Sequence, residues 1–290
     1  MPEETHIMLF SLLVTAREGL EMALIITILL GYLRSLDQKS HFRAIWIGVA
    51  AAASLSIAFG AGLEIASHEL DGRLLEAFEG FTMLFAVAVL TWMLFWMRKQ
   101  GAAVSSDLRN RVDSALSTGS VMALALLAFS AVGREGFETA LFLFAGSASH
   151  SSNLEFALGG VIGFGAAAVV GVILYYSSSR LPIRHFFTAS GVLLMIIAAG
   201  LLTNALTELH EATIIPDLGV RPWDTEHLLP MTSDLGKFMH TLFGYDSAPA
   251  ISQIALYWSY LGIVLVTYLA WPQISPSRES QSPATVSSVT

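Results

Sequence analysis

Two short runs constrain this chain more than anything else in it: Arg17-Glu18-Gly19-Leu20-Glu21 and Arg134-Glu135-Gly136-Phe137-Glu138. They are one pattern, Arg-Glu-Gly-x-Glu, occurring twice, 117 positions apart. Each lies deep inside an apolar stretch. The first is flanked by Ile7 to Ala16 and Met22 to Leu33, the second by Val121 to Gly133 and Thr139 to Gly146. Both stretches are long enough to cross a bilayer, where roughly 20 apolar residues suffice. Each helix so formed carries one Arg and two Glu near its middle.

That placement is expensive. A charged residue at the centre of a membrane helix costs about 2.5 to 3.5 kcal/mol on insertion scales. Four Glu and two Arg, unpaired, cost on the order of 15 to 20 kcal/mol. Arg17 and Glu21 stand at i and i+4, as do Arg134 and Glu138, so each Arg has a partner on its own helix. Glu18 and Glu135 have no such partner. A structural ion-pair cluster is the plain reading. Yet four carboxylates against two guanidiniums leave two negative charges over, and that surplus asks for a cation or for protons.

The rest of the chain fits a polytopic membrane protein forming a single domain over 1–274. Of 290 residues, 54% are hydrophobic and only 13% are charged, against about 25% charged in a soluble domain. With no cysteine, disulfides, thiolate metal sites and cysteine redox chemistry are excluded. Nothing in the composition points to nucleic acid. The start, Met1-Pro2-Glu3-Glu4, is acidic where a cleaved signal peptide carries positive charge. The first apolar stretch is therefore expected to stay as a membrane helix.

Seven spans are predicted, at 7–33, 44–67, 75–97, 119–146, 155–177, 186–207 and 252–271. Ten Lys and Arg fall in one alternating set of connections and three in the other. The positive-inside rule puts the set of ten in the cytoplasm. The N-terminus is then outside and the C-terminus inside. Outer segments hold twelve acidic residues and inner segments four, and an acidic outer face concentrates cations. Three spans separate the motif copies. Spans 1–3 and 4–6 are thus expected to be inverted repeats about an axis in the membrane plane, with the seventh helix outside the repeat. That axis brings both motifs together near the midplane. Gly19 and Gly136 allow close helix approach, and Gly159-Gly160-Val161-Ile162-Gly163 carries a small-xxx-small signal.

Other candidates lie toward the outer side. Glu76 and Glu79 stand at i and i+3 on one helix face, with Glu64 near them. Span 6 ends in Glu208, His210 and Glu211. Neither His68-Glu69 nor His210-Glu211 is followed by the second His of a zinc-protease helix. Residues 231–243 read as an amphipathic helix on the membrane surface, and 275–290, rich in Ser, Pro and Thr, as a disordered cytoplasmic tail. Carboxylate oxygens are hard ligands suited to Mn²⁺, Mg²⁺, Ca²⁺ or iron alike.

The doubled motif resembles that of the oxidase-dependent iron permease family, with its fungal high-affinity and bacterial EfeU-type branches. Leu75-Glu76-Ala77-Phe78-Glu79-Gly80, Leu90-Thr91-Trp92-Met93, Leu209-His210-Glu211-Ala212 and Leu242-Phe243-Gly244-Tyr245 are similar to the bacterial branch, over about residues 5 to 272. The resemblance implies an all-α permease of the plasma (bacterial inner) membrane, not an enzyme, with iron as substrate and no permanent cofactor. It implies ferric ion handed over after oxidation by a periplasmic or extracellular oxidase or peroxidase, together with iron-binding proteins of the same system. On that reading Glu18, Glu21, Glu135 and Glu138 ligate the metal and Arg17 and Arg134 balance charge and gate. Glu76, Glu79, Glu208, His210 and Glu211 then relay the ion inward. The residues alone leave two other readings: a proton-coupled transporter of another cation or substrate, and a non-transport intramembrane enzyme or sensor.

Overall fold

The computed structural model describes residues 5–100, 104–147, 153–176, 183–216 and 218–270. Among these residues all regular structure is helical. In chain order the helices are α1 (Thr5–Ser35), α2 (Phe42–His68), α3 (Arg73–Gln100), α4 (Val104–Ser117), α5 (Val121–Ser147), α6 (Asn153–Tyr176), α7 (Ile183–Glu211), α8 (Asp234–Phe243) and α9 (Ile251–Ala270). Each of the seven expected spans coincides with one of the long helices. Among the described residues, five helices are long and apolar enough to cross a membrane: α2 with the turn before it, α3, α6, α7 and α9. The remaining long pair, α1 and α5, carry the motif charges at their middles. The expected tail, 275–290, lies outside the described residues.

Helix ends follow local chemistry. After α1, Asp37 takes a positive φ of 56° and the Gln38 amide donates to the Leu33 carbonyl, closing the helix and turning the chain into α2. Helix α8 starts at Ser233, whose hydroxyl accepts from the Gly236 amide, and stops at Gly244 in the left-handed region.

Two elements depart from the sequence reading. Helix α4 fills what was read as a connection. Its Leu108, Val112 and Ala115 are buried in a cluster with Leu29, Leu33, Ile45 and Leu124, while Arg111 and Asp107 pair at 2.9 Å on the open face. Helix α8 forms where an amphipathic surface helix was expected, but it packs on α7 and α1. Phe243 joins the central core, and the Gly244 backbone rests directly on Gly200 of α7. Two residues without Cβ meet there, which no surface location requires.

The bundle is assembled reciprocally. Helix α1 packs most extensively on α6, α2 on α5, and α3 on α7, with α1 and α5 also touching. Small residues at four-residue spacing make the α1–α6 and α2–α5 pairs. On α2, Gly48 faces the Ala125 carbonyl, Ala52 faces Gly133, Ser56 faces Gly136, and Gly60 faces Ala140. On α6, Gly159 faces Met8 and Ser11, Gly163 faces Leu12 and Thr15, Ala167 faces Gly19, and Gly171 faces Ala23. Residue numbers rise together in both series, so each pair runs parallel. Ala23 and Ala140 stand at the same place in their copies, two residues beyond the last motif Glu. The small-xxx-small signal of 159–163 is therefore a helix contact, as between membrane helices generally.

A Cβ at Gly48 meets the backbone of Ala125 and Phe129, whereas one at Gly62, on the same helix, meets nothing within 4 Å. Gly48→Val should therefore lower stability by about 1 to 3 kcal/mol or more, and Gly62→Val should not. Thermal unfolding of the two detergent-solubilised variants measures this. Equal melting temperatures would contradict the backbone contact.

Candidate metal centre

Glycine at the centre of each motif sets the site. Residues 18 and 21 share one face of α1, and Gly19, rotated by about 100°, faces α6. Glu135 and Glu138 stand likewise on α5 while Gly136 faces α2. The glycines let neighbouring helices close in from the flank, and the carboxylates of α1 and α5 are left facing each other. The result is almost dry: Glu18 is 0% exposed, Glu135 1% and Arg17 2%. Glu21 and Glu138 are buried too.

Each guanidinium serves both Glu of its own motif. Arg17 Nη1 donates to Glu18 Oε1, and Nη2 lies 3.0 Å from Glu21 Oε1. Arg134 Nε donates to Glu135 Oε1 at 3.0 Å and stands 3.6 Å from Glu138 Oε1. Glu18 and Glu135, which had no partner by sequence spacing, are thus the more tightly held Glu of each motif. The five-donor guanidinium fork reaches a neighbour at i+1 as well as at i+4.

Pairing leaves much unsatisfied. Glu18 Oε2, Glu135 Oε2 and Glu138 Oε2 are buried with no hydrogen-bond partner, and so is Glu21 Oε1, which touches Arg17 outside hydrogen-bond geometry. Carboxylate oxygens of Glu18, Glu21 and Glu135 lie within 4.8 Å of one another. Three oxygens spread evenly around a small hard cation at about 2.1 Å stand about 3.6 Å apart, so the triad would contract to take one ion. Glu138 stays outside the triad, next to Arg134.

Sequence spacing missed a further set of neighbours. Arg17 Nη1 and Nη2 also donate to the Met93 and Met97 sulfurs at 3.5 and 3.3 Å. The Arg134 guanidinium sits over the Trp96 ring, 3.9 Å from its centroid. All three residues lie on one face of α3. The run Leu90-Thr91-Trp92-Met93 marks this segment in the sequence, but no spacing rule links it to the motifs.

At the other end of α3, Glu76 and Glu79 are half-buried, and Glu76 Oε2 has no hydrogen-bond partner. Gly80 brings α7 close, with Leu209 and the Glu208 Cβ against it. Glu208 lies in the field of Glu79, Glu211 and Glu76. Three of the expected relay residues, Glu76, Glu79 and Glu208, are thus gathered where α3 meets α7. Glu211 is exposed at the helix end. His210 turns aside, its Nδ1 3.2 Å from the Ile215 carbonyl, where it braces the chain leaving α7.

Arg17 and Arg134 differ in burial, at 3% and 30% side-chain exposure. Arg17→Gln leaves two fully buried carboxylates without their cation and should cost about 3 to 5 kcal/mol. Arg134→Gln should cost less, because the Arg134 guanidinium is itself partly exposed to solvent and its contact with Glu138 is longer, at 3.6 Å against 3.0 Å for Arg17 and Glu21. Unfolding of the two purified variants checks the order; equal losses would contradict it.

The chain matches the Iron permease FTR1 family over residues 8–273. It is similar to "Ferrous iron permease EfeU" of Escherichia coli O6:K15:H31 (strain 536 / UPEC), at 35% identity over 90% of this chain and 95% of the relative. It is also similar to "Ferrous iron permease EfeU" of Shigella sonnei, at 35% over the same shares. A third relative of that name, from Yersinia pestis, is 34% identical over 90% of this chain and 93% of its own. No solved structure matches. A buried, doubled Arg-Glu-Gly-x-Glu centre in a helical bundle, matched along nearly the whole chain, makes this protein a member of the iron permease family, a multi-pass membrane transporter and not an enzyme.

Proposed function

We propose that this protein moves iron inward through the carboxylate centre between α1 and α5, with Glu18, Glu21, Glu135 and Glu138 as ligands. The observation that carries the proposal is the buried triad from both motif copies, within 4.8 Å, with carboxylate oxygens that no protein donor satisfies. A half-satisfied buried polar network is unstable as a purely structural device. A cation completes it.

In this reading all seven long helices span the bilayer. The N-terminus is outside and the C-terminus in the cytoplasm, as the basic residues distribute. Helices α1–α3 and α5–α7 form the inverted repeat. Its support is the reciprocal packing of α1 on α6 and α5 on α2, each pair parallel. The short turn between α1 and α2 reverses the chain, so α5, parallel to α2, runs against α1. Glu76, Glu79 and Glu208 gather the ion at the outer side, with Glu211 and His210 at the rim. On arrival the ion takes carboxylate oxygens from Arg17 and Arg134, which had balanced their charge.

The valence has two readings. Family resemblance favours ferric ion delivered after oxidation by a periplasmic or extracellular oxidase or peroxidase, a hard trivalent ion suiting four carboxylates. The charge of the centre, four Glu against two Arg, favours a divalent ion, which neutralises it, and the matched relatives are named ferrous permeases.

Radioactive iron uptake into vesicles holding only this protein, offered Fe²⁺ and Fe³⁺ separately, separates the two. Glu18→Gln should abolish uptake per folded protein, whereas Glu69→Gln, at an exposed position, should leave it intact. Normal uptake by Glu18→Gln would defeat the metal-site reading. The topology is tested by single cysteines in this cysteine-free chain. A membrane-impermeant thiol reagent applied outside should label Asp224→Cys and spare Asn110→Cys; the opposite pattern would reverse the orientation.

A further inference from the structure

Both motif arginines lean on the same helix. Arg17 of α1 touches the sulfurs of Met93 and Met97, and Arg134 of α5 stacks on Trp96. Positions 93, 96 and 97 are i, i+3 and i+4, one face of α3. The supporting pairs are reciprocal, with α1 on α6 as α5 is on α2. Reciprocity would send Arg134 to α7, the counterpart of α3. It turns to α3 instead. Symmetry is broken at the residues that must move when a cation arrives.

A guanidinium that loses its carboxylates inside an apolar bundle needs another partner. The face of a tryptophan is the best aromatic partner for a cation, and thioether sulfur is a polarizable, weak acceptor. Neither is a good ligand for a hard metal ion. Such side chains hold an arginine without competing for the ion that displaced it. We propose that Trp96, Met93 and Met97 form a cradle that keeps Arg134 and Arg17 off the carboxylates while iron occupies them. They are positioning residues: they act on the metal through the arginines. The proposal rests on the carboxylate-site reading above and adds the regulation of that site. It also gives α3 a polarity, with the collecting carboxylates Glu76 and Glu79 at one end and the cradle at the other. Twenty residues separate Glu76 from Trp96, about 30 Å of helix at 1.5 Å per residue.

The test uses the full-length protein, purified for equilibrium iron binding and reconstituted for uptake. Trp96→Leu should raise the iron concentration for half-saturation about tenfold, because the displaced Arg134 returns to Glu135 and Glu138 and competes. Trp96→Phe, which keeps a ring face, should recover most of that loss. Met93→Leu with Met97→Leu, close to volume-conserving, should weaken binding several-fold through Arg17, and it carries the comparison should Trp96→Leu fail to accumulate. A packing role alone predicts that Trp96→Leu and Arg134→Lys have independent effects that multiply. The cradle predicts that the double variant is clearly better than that product. Unchanged half-saturation in both the Trp96→Leu and the double Met variants, or multiplying effects, would overturn the cradle while wild-type binding leaves the carboxylate site standing. Absence of iron binding by the wild type would instead overturn the carboxylate site itself.

Discussion

Six ionisable groups, five of them buried, set between two apolar helices are the constraint on which this bundle depends. Water is excluded from Glu18 and Glu135 almost completely, so each charge must find its compensation in protein or in an ion. Arginine is suited to the first task. Its planar fork lets one cation reach two carboxylates at once, as Arg17 does for Glu18 and Glu21. Lysine, a point charge, does not match that geometry. The count still falls short. Two arginines cannot neutralise four carboxylates, and each of the four keeps a buried oxygen with no hydrogen-bond partner.

Bringing those helices together is a packing problem before it is an electrostatic one. In lipid, hydrophobic burial does not drive helices together, and close backbone approach through small residues takes its place. The four-residue series on α2 and α6 supplies that approach. Each motif glycine is the place where its helix receives the partner's series, Gly136 against Ser56 and Gly19 against Ala167. The motif therefore holds two instructions one residue apart: carboxylates toward the centre, and an empty flank toward the supporting helix. A larger residue at 19 or 136 would push the supporting helix away and loosen the carboxylate geometry without touching a ligand.

Much of this was legible in the sequence. The seven long helices were readable because apolar runs of that length have few other uses. The centre was readable because charge in such runs is too costly to be idle. Helix α4 was not, since its buried Leu108, Val112 and Ala115 sit among Ser, Asp, Asn and Arg, and its apolar stripe has meaning only against the ends of α1, α2 and α5. Nor was the inward seat of α8, which depends on Gly200 meeting Gly244, residues 44 positions apart. The arginine partners of Glu18 and Glu135 escape helical spacing for a different reason. Helical spacing counts Cβ positions, while an arginine fork reaches further than one spacing rule allows.

On the path proposed above, the chemistry is ordered by hardness. Oxygen atoms line the two proposed holding places: Glu76, Glu79 and Glu208 at the α3–α7 junction, and the motif carboxylates at the centre. Sulfur and ring carbon appear where the competing cations of the protein itself rest, against Met93, Met97 and Trp96. Thiolate is absent from the chain, and the imidazole of His210 is turned onto a backbone carbonyl. A strongly bound soft or nitrogen ligand on the way would hold a transition metal too tightly to release it. In the proposed mechanism, carboxylates shared with arginine avoid that, because the returning guanidinium would compete for the same oxygens and help expel the ion. The pair that makes the empty site tolerable in an apolar bundle would then also be the means of emptying it.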